Sequence, residues 1–171
     1  MMYNITLQED SDLEAIEELL DDAFGVDRHR KTAYRLREGV SPLPELCFVI
    51  RDGGKLMATL RFWPVRIRSD RGKVWPALLL GPIAVRQGHQ GRGYGIALMQ
   101  HGLIRAKELG HERVILVGDE EYYRRVGFSR DLARGVKMPG PVDDRRLLAR
   151  ELVPGAMNGV EGLMEAARPP M

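Results

Sequence analysis

The chain has 171 residues, 44% of them apolar, and carries 26 Lys and Arg against 24 Asp and Glu for a net charge of +2. That length suits one domain over residues 1–171, with a core that needs no disulfide or structural metal, and the near-balanced charge excludes a nucleic-acid or membrane surface built on bulk electrostatics. A single cysteine excludes an intramolecular disulfide and a thiolate metal site, and no basic leader or run of ~20 apolar residues is present, so a cytoplasmic protein is expected.

Residues 3–8 alternate apolar and polar side chains as a first strand does, and Ser11-Asp12-Leu13-Glu14 then reads as a capping box. Leu13, Ile16, Leu19, Leu20 and Phe24 recur at helical spacing down to Gly25, and a second helical stretch is expected over about residues 28–38 behind an Asp27 cap. Segments 47–51 and 55–68 flank Asp52-Gly53-Gly54, whose glycines tolerate positive φ, so an antiparallel hairpin follows. Cys47 heads the apolar run Cys47-Phe48-Val49-Ile50 and reads as core packing rather than an acyl-carrying nucleophile. After a reversal at Ser69-Asp70-Arg71-Gly72, residues 74–85 are apolar almost throughout, as in a central strand covered on both faces. Gly81-Pro82 interrupts them, and because proline cannot donate to the ladder, a bulge or a parting from the neighbouring strand is expected there.

Ile96, Met99, Leu103 and Ala106 mark one face of a helix over residues 93–109, with Gly110 as its C-terminal stop. Residues 114–117 form a short buried strand, and the connection to 74–85 through that helix predicts a parallel βαβ unit. A short helix over 120–126 ends at Gly127, and 134–138 and 146–153 are candidate strands across Pro139-Gly140-Pro141. The tail after about residue 155 shows no element and is expected to be less ordered.

Between the apolar strand and the long helix stands Arg86-Gln87-Gly88-His89-Gln90-Gly91-Arg92-Gly93-Tyr94-Gly95. A helix start has unpaired N–H groups and the positive end of the dipole, and glycines let anionic oxygens approach those donors, so a diphosphate is the expected ligand. Glycine in a first turn otherwise costs up to ~1 kcal/mol against alanine, which argues against a plain flexible loop. A P-loop needs Gly-Lys-Ser/Thr, and no lysine follows these glycines. A dinucleotide fingerprint needs Gly or Ala where Ile96 and Leu98 stand. Both failures weigh against a nucleotide-binding protein.

Gln90-Gly91-Arg92-Gly93-Tyr94-Gly95 resembles the coenzyme A signature Gln/Arg-x-x-Gly-x-Gly/Ala of the GNAT superfamily of N-acetyltransferases. Gln87 stands where that superfamily often has a proline, a departure that affects loop stiffness and not the donors. Tyr123-Arg124-Arg125-Val126-Gly127-Phe128 is similar to its Tyr-x-x-x-Gly-Phe segment, and the tract 148–156 resembles a predicted bacterial N-acetyltransferase branch. The order of predicted elements follows the same layout for most of the chain. The resemblance implies an α/β (α+β) GNAT acyl-CoA N-acyltransferase fold, a mixed central sheet of about seven strands with about four helices.

It also implies acetyl-CoA as co-substrate, without a metal, held by the backbone of Ile83, Ala84 and Val85 in a gap between two parallel strands and by Gln90, Gly91, Arg92, Gly93, Tyr94 and Gly95 at the diphosphate. A main-chain N–H near Ile83 to Val85 then stabilises the oxyanion, and Tyr123 is the acid that serves the departing sulfur. Glu38, Glu45, Asp119 or a held water remain open as the base. Trp63 and Trp75 are core or pocket wall, and His89 belongs to the loop. The acceptor is a primary amine of a small molecule or peptide, met by a monomer or homodimer without nucleic acid or membrane. The alternative is a non-catalytic acyl-CoA-binding sensor. Acceptor specificity is expected from about residues 24–45 and the last strands.

Overall fold

The computed structural model describes residues 4–25, 28 and 32–167. Along the chain come β1 (Asn4–Leu7), α1 (Leu13–Phe24), α2 (Thr32–Arg35), β2 (Cys47–Asp52), β3 (Lys55–Arg68), β4 (Val74–Val85), α3 (Tyr94–Glu108), β5 (Arg113–Val117), α4 (Glu120–Tyr123), β6 (Val136–Lys137), β7 (Leu147–Glu151) and β8 (Gly162–Ala166). They build a mixed sheet of eight strands in the order β1-β2-β3-β4-β5-β7, with β8 paired to β3 and β6 to β8.

The β2–β3 hairpin closes over Gly53 at φ 60° and Gly54 at φ 81°. Two left-handed residues are what a type I′ loop requires, and Asp52 faces Lys55 across it. Side chains along β3, β4 and β5 alternate between two cores. Leu60, Phe62, Leu78, Leu80, Val114 and Leu116 meet Leu98, Met99 and Leu103 of α3. Trp63, Val65, Ala77, Leu79 and Ile115 meet Met138, Met157 and Met164 from the C-terminal segment. Helix α1 covers the rest of that second face by packing Ile16, Leu19 and Leu20 on Val49, Leu56 and Ala84. Burial on both sides explains why β4 is apolar almost throughout.

Helix α3 ends as its sequence predicts. The Gly110 N–H (φ 94°) donates to Lys107 O and the His111 N–H to Ala106 O, both at 3.0 Å, a Schellman closure.

Four sequence expectations change. The capping box is set by Asp12 rather than Ser11 and Glu14: the Glu9 N–H donates to Asp12 Oδ2 at 2.8 Å, and a turn over Asp10–Asp12 precedes α1. Among the described residues of the stretch over 28–38 the α-helix is confined to α2, and the chain then turns through residues 36–39, since Leu36 alone of its tail enters the core and a single apolar anchor does not extend the helix past Arg35. Tyr3 and the Asp27 cap lie outside the described residues.

Strand expectations at the C-terminus change as well. The segments expected at 134–138 and 146–153 do not pair with each other: β6 runs parallel to β8, and β7 joins β5 antiparallel. The tail expected to be less ordered instead supplies β8. Strand β2 pairs with β3 only as far as Arg61, which leaves the rest of a 14-residue strand open, and Val65 to Arg68 take β8 there. Gly162 makes the approach possible, because a Cβ at that position would lie 2.1 Å from Arg68 O.

The α3–β3 contact is tight enough to test. A Cβ on Gly102 would stand 2.6 Å from Phe62 Cε1. Gly102→Val is therefore expected to destabilise the fold by about 1–3 kcal/mol, read as a lower urea midpoint at unchanged slope; a wild-type midpoint contradicts this packing.

Candidate functional site

The site begins where β4 loses a neighbour. Strands β4 and β5 pair in parallel only at Leu78 with Val114 and Leu79 with Ile115. On the other edge, Leu60 faces Ile83 and Phe62 faces Leu80, so Arg61 opposes both Gly81 and Pro82. This is the bulge expected at Gly81-Pro82, and the peptide between them is cis. The Trp63 indole N–H donates to Gly81 O at 2.6 Å and ties the bulge to β3. A cavity of about 580 Å³ opens where the parallel strands part, between residues 79–83 of β4 and residues 116–118.

At the far end of β4 the chain forms a brace. The Gln90 side-chain amide donates to Val85 O at 3.2 Å and accepts from the Gly88 N–H at 3.0 Å, so Gln90 folds the turn back on the strand. Arg86 donates through Nε to Leu56 O at 2.8 Å. Gly88, Gly91 and Gly93 all have φ between 82° and 85° and open space where a Cβ would stand. Gly93 caps α3, and the Gly95 and Ile96 amides of its first turn have no acceptor within the helix. The result is a surface of backbone donors without side chains over it, the cradle that an anionic diphosphate fits.

The predicted site residues do not all present their side chains. Ala84 packs into the α1 core and Tyr94 into the α3 core, so each offers the site its backbone only. Ile83 lines the cavity. Arg92 is exposed beside His89, with Nη1 3.1 Å from the imidazole Nδ1. Gly95 is needed for clearance: a Cβ there would stand 2.8 Å from the Tyr122 hydroxyl.

Tyr123 forms part of the cavity wall on the β5 side. Its ring lies so close to Gly118 that a Cβ there would meet Cε2 at 2.2 Å, and Phe128 supports it edge-on at 6.4 Å between centroids. Burial raises the phenol to about 12, helped by Tyr122 and opposed by Arg146. Tyr123 is therefore a protonated donor at neutral pH. Tyr122 packs on it at 4.9 Å and faces α3.

The remaining wall comes from the α1–α2 region and from residues 141–146, including Phe24, Tyr34, Arg37, Val142 and Arg146. Most of this lies within the segment expected to set acceptor specificity, but no motif singles out any residue there. Arg37 is the residue that sequence reasoning misses. Its guanidinium lies 4.4 Å from the Tyr34 ring centroid and 5.6 Å from that of Trp63, and it belongs to the walls of the main cavity and a smaller one beside it. Burial lowers its pKa to about 10, so it stays charged at neutral pH.

Of the carboxylates proposed as base, Asp119 is exposed and lies 3.4 Å from Arg146, Glu45 stands near His111 outside the cavity wall, and Glu38 lines the smaller cavity. Cys47 is buried and its thiol donates to Leu43 O at 3.2 Å.

The family model for the acetyltransferase (GNAT) domain matches residues 4–130. The chain is 28% identical over 155 residues to the uncharacterized N-acetyltransferase YhbS of Escherichia coli K12, covering 90% of each chain. It is 26% identical over 144 residues to the uncharacterized N-acetyltransferase YjhQ of the same organism, covering 83% of this chain and 78% of that one. The crystal structure of E. coli YhbS in complex with CoA matches with a TM-score of 0.81 at 27% identity, covering 97% of this chain and 90% of that chain.

Burial raises the Cys47 thiol to about 11. A thiol-reactive dye at pH 8 is expected to leave it unlabelled in the folded protein and to label it fully in denaturant; rapid labelling of folded protein contradicts the core assignment.

Proposed function

The chain belongs to the GNAT acetyltransferase family and is an acyltransferase, and from that premise we propose that it moves an acetyl group from acetyl-CoA to a primary amine of a small molecule or peptide by direct attack. The observation that carries this reading is the parting of β4 from β5, with a donor-lined glycine turn beyond one end and a protonated tyrosine in its wall. The CoA complex of the YhbS relative supports acetyl-CoA as the co-substrate.

In this proposal the amides of Gln90, Gly91, Arg92, Gly93, Tyr94 and Gly95 hold the diphosphate, and the backbone of Ile83, Ala84 and Val85 takes the pantetheine arm along the unpaired edge of β4. Binding by main chain explains why Ala84 and Tyr94 serve with their side chains turned into the cores. Acetyl-CoA supplies a thioester whose acyl carbon accepts the amine nitrogen as its C–S bond breaks. A backbone N–H at Ile83 to Val85 stabilises the charge that develops on the carbonyl oxygen.

Two protons must be managed: one leaves the nitrogen and one reaches the sulfur. A phenol of pKa about 12 is a poor outright donor to a thiolate whose thiol has pKa ~8.5, an uphill transfer of roughly 5 kcal/mol. The balance closes when Tyr123 gives its proton to sulfur as the newly bonded nitrogen returns one, directly or through water in the open cavity. Net transfer then runs from nitrogen to sulfur and no phenolate accumulates. A lysine-like amine of pKa ~10.4 must first lose its own extra proton, and the open mouth of the cavity gives water access for that step.

Tyr123→Phe is expected to keep acetyl-CoA affinity within about twofold while lowering kcat by about 10²–10⁴, measured by calorimetry and thiol release; wild-type turnover contradicts the role. Because Tyr123 titrates near 12 rather than 10, kcat in the wild type is expected to show no alkaline fall from this group up to pH 10. A residue other than glycine at position 93, where φ is 85°, is strained, and Gly93→Asp adds a carboxylate beside the donors. That variant is expected to weaken CoA binding by about tenfold or more; undiminished affinity overturns the diphosphate assignment.

A further inference from the structure

Four arginines stand in the wall of the main cavity, and three of them are already engaged. Arg28 pairs with Glu17 and Asp21, Arg146 lies 3.4 Å from Asp119, and Arg35 donates to Pro139 O at 3.1 Å. Arg37 differs. Its guanidinium is hydrogen-bonded to Tyr34, but its Nε and Nη1 are buried without a hydrogen-bond partner, and no carboxylate among the described residues forms an ion pair with it. In the main cavity's wall the one carboxylate, Asp143, lies 3.0 Å from Arg145, and Glu17 and Glu38, which share the smaller cavity's wall with Arg37, form no ion pair with it.

A buried guanidinium with unmade hydrogen bonds is costly. Stacking on Tyr34 and Trp63 offsets part of that, because cation–π contacts are individually modest. An anion entering the cavity gains a charge-assisted contact with the part of the guanidinium that lines it and finds a cation already fixed beside two rings. Coenzyme A phosphates are not that anion. Arg37 Nη2 stands 3.0 Å from where a Cβ on Gly81 would be, and Arg86 at the start of the glycine turn lies five residue steps beyond Gly81, a span of roughly 16 Å.

Resting on the acetyl transfer proposed above, we infer that the acceptor amine also carries a carboxylate, which Arg37 receives between Tyr34 and Trp63. The acceptor is thus of the amino-acid class, and Arg37 sets specificity without touching the reacting atoms. Polyamines and lysine-rich peptides are disfavoured by the same charge.

The test compares amines that differ only in the acid: phenylalanine with phenethylamine, lysine with cadaverine, and O-phosphoethanolamine with ethanolamine as a phosphate arm. The amino acids are expected to show kcat/KM about 10- to 100-fold above their decarboxylated partners. Arg37→Gln is expected to raise KM for them by a similar factor, leave kcat within a few-fold and erase the discrimination, and Arg37→Lys to restore part of it. Equal use of acid and neutral amines, preference for the phosphate alone, or discrimination that survives in Arg37→Gln overturns the inference.

Calorimetry keeps the two readings apart. Failure of the wild type to bind CoA sinks the acetyl transfer and leaves the Arg37 site still testable, because 3-phenylpropionate titrated without CoA is expected to bind wild type and not Arg37→Gln. No difference between the two proteins there sinks the Arg37 site, whatever CoA does. A CoA affinity unchanged in Arg37→Gln shows that the variant is folded.

Discussion

Strand β4 has a full partner on one edge and only a two-residue partner on the other, and the candidate site follows from that asymmetry. On the β3 edge, pairing runs from Val74 to Val85 with one bulge. On the β5 edge it ends at Leu79. Backbone donors and acceptors of a central strand are ordinarily satisfied on both sides, so a stretch of β4 left without a strand beside it is a place where an extended ligand can complete the ladder. The bulge at Gly81-Pro82, tied to Trp63, sits where the two strands part.

The surroundings keep the opening shaped while leaving its groups protonated or charged as the proposed chemistry needs. Packing on both faces of the sheet makes the fork rigid: the α3 core holds Ile83 and Val85 from one side, and α1 holds Ala84 from the other. Burial raises the Tyr123 phenol and lowers the Arg37 guanidinium. Desolvation disfavours the charged form in both cases, which leaves Tyr123 a firm hydrogen-bond donor and Arg37 a cation that gains from a counter-ion. The two groups stand on different walls of the cavity, Tyr123 on the β5 side and Arg37 just after α2, the separation on which the inference of an acid-bearing acceptor relies.

Local chemistry made much of this legible before any contact was known. Asp52-Gly53-Gly54 dictated its hairpin because glycine adopts two successive left-handed conformations at no steric cost. Gly110 ended α3 for the same reason, and Gly81-Pro82 announced the bulge because proline has no N–H to give. The glycine run also fits its local conformation, since Gly88, Gly91 and Gly93 take the positive φ that glycine adopts without strain. The partner of β6 and the existence of β8 were not legible: residues 134–138 read as a strand but nothing local names what it pairs with, and β8 exists because β3 is longer than β2 and leaves an edge to be covered.

Sequence by itself determined the elements whose conformations are set within a few neighbouring residues, and the family to which their order and motifs point. Tertiary structure decided what depends on residues distant in the chain: which strand fills each edge, that Ala84 and Tyr94 face the cores, and that Arg37 lies half-buried beside Tyr34 and Trp63 with Nε and Nη1 unpaired. No local pattern encodes the last of these, because an arginine in a polar segment looks the same whether it is solvated or enclosed. Its desolvation is a property of the walls that α2, β3 and β4 raise around it.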